Sequence, residues 1–208
     1  MDSGNLVSKL EKLKNSEISE LVNIRVKEFE ELGTKSNKEL FKELCFCLLT
    51  ANFNAQRSIV IQRNIGEGFI EFSEEELAKS LAKYGHRFPN ARAKYIVEAR
   101  KHIPFLKEII SKSDSEAREL LVKNVKGLGY KESSHFLRNI GLKNIAIVDF
   151  HIIDLLKREG LFECKKPLCK SKYLEAEEVL KSLANRVNLN LSELDLYLWF
   201  IETGEVLK

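Results

Sequence analysis

The chain has 208 residues, 44% of them hydrophobic and 31% charged, so it can bury a core and is not disordered by composition. Its 34 basic and 31 acidic residues leave a net charge of +3, too small by itself to mark a polyanion-binding protein. No apolar run is long enough to span a bilayer. The segment Asn5 to Leu13 interleaves Lys9, Glu11 and Lys12 with its apolar residues, unlike a signal-peptide core. A cytoplasmic protein without membrane partners is expected.

Three prolines and ten glycines favour helices over many tight-turned strands. Leu6 to Leu32 repeats apolar residues at helical spacing, with a break near Asn15-Ser16. Ser36-Asn37-Lys38-Glu39 reads as a capping box opening Leu40 to Ala51, and Ser73 with Glu76 as another opening Leu77 to Tyr84. Between them Ile59 to Ile65 is a further helix with a less evident cap. Asn90 is expected to open Ala91 to His102. Phe105 to Ile110 and Ser115 to Val125 follow as helices. Lys131 to Ile140 stops at Gly141, and Asp149 to Arg158 stops at Gly160, both glycines at C′ positions. Ser171 to Val187 and Ser192 to Glu202 close the chain. No segment alternates as a strand does, so the expected class is all-α.

Cys45 and Cys47 lie in the apolar run Leu44 to Leu49 and read as core thiols. Cys164 and Cys169, in the loop Glu163 to Lys172, lack the tight paired spacing and histidines of a zinc site, so free thiols are expected, with no metal. Charge is unevenly placed. Residues 121–143 carry Lys123, Lys126, Lys131, Arg138 and Lys143 against Glu132 alone. Residues 83–102 carry Lys83, Arg87, Arg92, Lys94, Arg100 and Lys101 against Glu98. Such segments are either solvated helix faces or a footprint for phosphates.

The chemistry concentrates in Asn124-Val125-Lys126-Gly127-Leu128-Gly129-Tyr130-Lys131 and Ala146-Ile147-Val148-Asp149. Gly127 and Gly129 can take backbone angles other residues resist and admit a phosphate close to backbone N–H groups at a helix start. Amphipathic segments flank them, which is helix–hairpin–helix geometry; a lone Gly-x-Gly is more often just a helix–helix turn. Lys131 falls in the first turn of the following helix, against a macrodipole that favours cations at the other end by ~0.3–1 kcal/mol. That position suits either a phosphate-contacting ammonium or a nucleophilic amine, beside the plainer reading of an exposed surface lysine. Asp149 begins a helix, where a carboxylate serves as N-cap and remains available as an anion. His135 and His151 are secondary candidates, more simply read as packed or capping residues.

The block Lys126 to Asn139, with Asp149 beyond it, resembles the helix–hairpin–helix DNA glycosylase/AP lyase superfamily, and within it the small 8-oxoguanine DNA glycosylases of archaea and thermophilic bacteria. Leu48-Leu49-Thr50-Ala51-Asn52, Gly85-His86-Arg87-Phe88, Leu194-Asp195-Leu196-Tyr197-Leu198-Trp199 and the terminal Lys208 extend the resemblance over nearly the whole chain. It implies a two-domain, all-helical fold with the active cleft between the domains: a helical barrel domain over 37–143, with the hairpin at about 120–141, and a second domain of 1–36 together with 144–208. It implies Lys131 as nucleophile and Asp149 as its carboxylate partner. Gly127 and Gly129 would hold the DNA backbone, and Arg87 and Phe88 would fill the gap and face the orphaned cytosine. Trp199 would stack on the extruded base, although a core role suits its apolar helix almost as well. Lys208 would read the base. Phe150 departs from the family, which commonly has a basic residue after the aspartate. The cysteines do not form the dense array of the iron–sulfur members, so no cofactor is expected.

The expected substrate is therefore double-stranded DNA containing 8-oxoguanine, acted on by a monomer in the nucleoid-associated cytoplasm. Guanine N7 accepts a hydrogen bond, whereas N7 of the oxidised base carries a proton and donates, so the site needs an acceptor there. Two other readings stand beside this one: a glycosylase for another oxidised base, and a non-catalytic helix–hairpin–helix DNA-binding protein. A purely structural helical protein is a third, which leaves the basic segments unexplained.

Overall fold

The computed structural model describes residues 4–164 and 168–208, and among these every regular element is helical. The long N-terminal pattern is split as expected, into α1 (Gly4–Lys14) and α2 (Ile18–Thr34). Ser36 caps α3 (Asn37–Thr50) through the Glu39 N–H, while the Glu39 carboxylate pairs with Lys42 at 2.5 Å. The helix predicted from Ile59 starts earlier, as α4 (Ala55–Ile65), because Asn54 accepts from the Arg57 N–H and supplies a cap. A single turn, α5 (Gly68–Glu71), precedes α6 (Glu74–Lys83), whose Ser73–Glu76 capping box is complete.

Asn90 does not open the next helix. α7 (Pro89–Ala99) starts with Pro89 in its first turn, where the missing N–H is no loss, and Asn90 lies inside it. The pattern predicted to run on to His102 tightens into a 3₁₀ segment, Arg100–Phe105, before α8 (Leu106–Ile110). α9 (Asp114–Asn124) is capped by Ser113 with Glu116, and α10 (Tyr130–Asn139) ends before Gly141, at φ +94°. α11 (Phe150–Arg158) is capped by Asp149. α12 (Lys170–Arg186) and α13 (Leu191–Thr203) complete the chain. Within the predicted loop Glu163 to Lys172, residues 165–167 lie outside the described residues; Cys164 and Cys169 are free thiols, as are the buried Cys45 and Cys47.

The chain divides into two compact units, Leu32–Leu137 and Met1–Glu31 with Arg138–Lys208. In the first of these, α3 is the axis: from Leu40 to Thr50 every residue but Lys42 is buried, the pattern of a helix covered on all sides. α4, α5, α7, α8 and the 3₁₀ segment pack on it, α6 packs on α7, and α9 on α8. Arg100 ties α5 down by donating to the carbonyls of Phe69 (2.9 Å) and Phe72 (2.6 Å). In the other unit α11 and α12 both pack on α13, and Leu6, Leu10, Val22, Val26 and Phe29 of α1 and α2 are buried. Arg138 is buried there too, paired with Asp195 at 3.1 Å and lying 4.7 Å from the Phe29 ring centre.

Candidate active site

The hairpin between α9 and α10 is built from backbone constraints. The Leu128 N–H closes a turn on the Val125 carbonyl at 3.2 Å, and Gly127 sits at φ +94°. A β-carbon at Gly127 would stand 2.5 Å from Cδ2 of Tyr95, so the position requires glycine both for its backbone angle and for space. Gly129 is different. It is not among the residues at positive φ, and its N–H donates to Glu132 Oε2 at 3.3 Å. The amide expected to face a phosphate is thus covered by a side-chain carboxylate.

Arg118 pins the two helices together. Its buried guanidinium donates through Nη1 to Ser134 Oγ at 3.3 Å and lies 5.2 Å from the Tyr130 ring centre, while the Tyr130 hydroxyl donates to Glu119. The first turn of α10 is therefore held from one side by α9. Lys131 stands in that turn, half-buried, and its amine makes no hydrogen bond or ion pair among the described residues. His135, one turn on, packs edge-on against Phe46 at 5.5 Å in the core.

Asp149 is delivered differently. The segment Ile145 to Val148 is buried yet not helical, so its polar backbone must be satisfied by side chains. α12 does this. Glu177 accepts from the Ala146 N–H at 2.9 Å, and the Tyr173 hydroxyl donates to the Ala146 carbonyl (2.8 Å) and accepts from the Val148 N–H (3.2 Å). At its end Asp149 Oδ1 accepts from the Ile152 N–H at 3.0 Å. Asp149 is half-buried, and its other carboxylate oxygen makes no hydrogen bond among the described residues. Capping and anionic chemistry are thus both open to it. Phe150 is exposed and stacks on His151 at 3.9 Å, and His151 meets Trp199 edge-on at 5.5 Å. Trp199 is half-buried, and its indole N–H is shielded from solvent without an acceptor. Lys208 ends a four-residue tail that leaves α13 through Gly204, at φ +78°.

Arg87 and Phe88 are both exposed, the guanidinium 5.0 Å from the ring centre. Some of the basic residues counted in the sequence are committed inside the protein. Arg92 and Arg138 are buried and Arg100 holds backbone carbonyls, whereas Lys143 is exposed and pairs with Glu30 at the surface at 2.5 Å. Lys83, Arg87, Lys94, Lys101, Lys123 and Lys126 remain exposed. Sequence reasoning missed Arg118, Tyr173 and Glu177. Each acts on a residue far along the chain, and no local pattern marks it.

The geometry defines a helix–hairpin–helix protein with an unpaired lysine at the hairpin exit and a capping aspartate at the head of α11. Solved structures of the same form exist. The 8-oxoguanine glycosylase/lyase of Methanocaldococcus jannaschii in complex with a 15mer DNA containing 8-oxoguanine matches with a TM-score of 0.95 at 49% identity, over 98% of this chain and 99% of that one. The 8-oxoguanine DNA glycosylase of Thermotoga maritima matches with a TM-score of 0.95 at 43% identity, over 99% of this chain and 100% of that one. The sequence model of the Ogg-HhH family, 8-oxoguanine DNA glycosylase, matches residues 22–189, and the chain belongs to that family. A relative from Korarchaeum cryptofilum, an 8-oxoguanine DNA glycosylase/AP lyase, is 54% identical over the full length of both chains.

Proposed function

We propose that this protein is a base-excision-repair DNA glycosylase with AP lyase activity that removes 8-oxoguanine from duplex DNA. The observation that carries the reading is the half-buried, unpartnered amine of Lys131 at the hairpin exit, in a chain of this family. The damaged base leaves the stack at a cost of a few kcal/mol. The unprotonated Lys131 Nζ attacks C1′ of the deoxyribose, the bond to N9 breaks, and the base departs with a proton. Ring opening gives an imine between Nζ and C1′. Loss of a C2′ proton then expels the 3′ phosphate by β-elimination, and water hydrolyses the imine to restore the lysine.

Asp149 acts on the same sugar, opposing the positive charge that develops at C1′. Backbone groups around Gly127 and Gly129 hold the phosphates, with the Glu132 carboxylate turning away from the Gly129 N–H. Arg87 and Phe88 enter the gap and face the orphaned cytosine; Trp199 stacks on the extruded base and Lys208 reads it. The reading includes action as a monomer on nucleoid DNA in the cytoplasm. No helix among the described residues is long and apolar enough to cross a membrane.

Borohydride reduction of the imine tests this directly. A duplex with one 8-oxoguanine should yield a covalent protein–DNA adduct with wild type and none with Lys131→Gln. Asp149→Asn should still bind the duplex while losing at least a hundredfold in adduct formation. Binding without any adduct in the wild type would leave a DNA-binding hairpin protein, and an adduct only with oxidised pyrimidines would reassign the substrate.

A further inference from the structure

His86 precedes the exposed Arg87–Phe88 pair and is itself buried, at 4% exposure. Both of its ring nitrogens are engaged. The Phe88 N–H donates to Nδ1 at 3.0 Å, and Nε2 lies 3.1 Å from the Leu49 carbonyl. A backbone N–H can only donate and a carbonyl can only accept, so the ring must carry its proton on Nε2 and none on Nδ1. Only one neutral tautomer satisfies both bonds. Imidazolium would set an Nδ1–H against the Phe88 N–H. Phe88 is also the residue that opens α7, and it has no side-chain cap of its own, so the His86 bond fixes the start of that helix.

The same imidazole joins two turns. The Leu49 carbonyl belongs to the end of α3, after which the chain turns through Ala51 to Asn52, an exposed residue at φ +57°. Phe53 stacks on His86 at 4.3 Å, and Arg57 lies 5.2 Å from the Phe53 ring centre while donating to the Gly85 carbonyl at 3.1 Å. Arg92 donates to the Ala51 carbonyl at 2.7 Å. The 51–54 turn and the 85–88 turn are thus held to one another by His86, Arg57 and Arg92, all within one compact unit.

We propose that His86 is a positioning residue: as a neutral imidazole it holds Arg87 and Phe88 in the conformation that engages the orphaned base, and its protonation releases them. This deepens the functional reading above and rests on it. The surroundings resist protonation. Burial lowers the imidazole below its ordinary value of 6.5, the Leu49 carbonyl opposes that, and the charged groups that face the ring, Arg92 of α7 and Arg57 of α4, lower it further. The neutral form therefore prevails at neutral pH, and release requires acid conditions below the ordinary imidazole value of 6.5.

The test compares 8-oxoguanine excision from duplexes carrying either cytosine or a tetrahydrofuran abasic analogue opposite the lesion. The ratio of the two kcat/KM values cancels any general loss of activity or fold, including the titration of groups that act on the sugar. For wild type the cytosine-to-abasic ratio should fall between pH 8 and pH 5.5, by less than about tenfold, because the lowered imidazole is only partly protonated there. His86→Leu should show the lowered ratio at pH 8 with no further pH dependence. His86→Asn keeps an acceptor for the N–H two residues on, as in an Asx turn, and cannot gain a proton, so its ratio should stay high and flat. Arg87→Ala should bring the ratio to about one at every pH. A wild-type ratio independent of pH, or a wild-type-like ratio in His86→Leu while Arg87→Ala abolishes it, overturns the role of His86 alone. A ratio untouched by Arg87→Ala and Phe88→Ala overturns the reading of Arg87 and Phe88 first, and the role of His86 with it.

Discussion

Gly127 shows how tightly a single position constrains the hairpin. At φ +94° a substituted residue is strained by roughly 1–3 kcal/mol, and the new β-carbon also meets Tyr95. Tyr95 cannot yield freely, because the buried Arg92 lies 5.7 Å from its ring centre. Gly127→Ala should therefore cost at least about 2 kcal/mol, a fall in Tm of roughly 4–8 °C for a chain of this length. It should weaken DNA binding in the same step. Gly129→Ala meets only the flexible end of Glu132, at 3.2 Å, and should cost less than half as much by thermal melting. Equal losses from the two alanines would mean that neither the positive φ nor the Tyr95 contact sets Gly127 apart. The pairing of two glycines is visible in the sequence. That only the first must be glycine is not, because the space it needs is set by Tyr95, 32 residues earlier.

At the scale of elements, Asp149 combines a structural and a proposed chemical role that can be separated. Asparagine caps a helix about as well as aspartate, whereas alanine forfeits about 1 kcal/mol. Asp149→Asn should keep the melting temperature within a degree or two while losing base excision; Asp149→Ala should lose both. An active Asp149→Asn enzyme would confine the residue to capping. Helix starts marked by local chemistry were legible in the sequence: the Ser73–Glu76 box, Asp149 itself and the stop at Gly141 all stand where the residue types place them. Elements set by tertiary contacts were not. The 3₁₀ segment Arg100–Phe105 continues a helical pattern in sequence, and its Arg100 is held by carbonyls of a turn some 30 residues earlier. The buried, non-helical run Ile145 to Val148 looks like a plain loop until Tyr173 and Glu177 are seen to satisfy its backbone. The candidate site was legible as residue types, in Lys131, Asp149 and Arg87. The groups that hold them, Arg118, Glu177 and His86, reach across sequence distances that no local pattern records.

For the whole molecule, the question is which charges are available to DNA. Eleven basic residues in the two enriched segments suggest a large footprint by count, yet burial withdraws Arg92 and Arg138, and Arg100 is held by backbone carbonyls. A cation already committed inside the protein releases no DNA counterion, so it cannot contribute to the salt dependence of binding. Lys126 can. It is exposed beside the hairpin, and its nearest carboxylate, Glu98, is at 3.9 Å, too loose and too solvated a pair to hold it. Each phosphate neutralised contributes about 0.9 to the slope of log K against log salt. Lys126→Ala should therefore flatten that slope by about 0.9 without altering the melting temperature. Arg100→Ala should leave the slope unchanged and lower the melting temperature, since it strips the carbonyls of Phe69 and Phe72 of their donor. Titrating duplex binding of both variants from 50 to 200 mM salt distinguishes the two outcomes. If Arg100→Ala flattened the slope as much as Lys126→Ala, charge counted along the sequence would predict the interface better than exposure does.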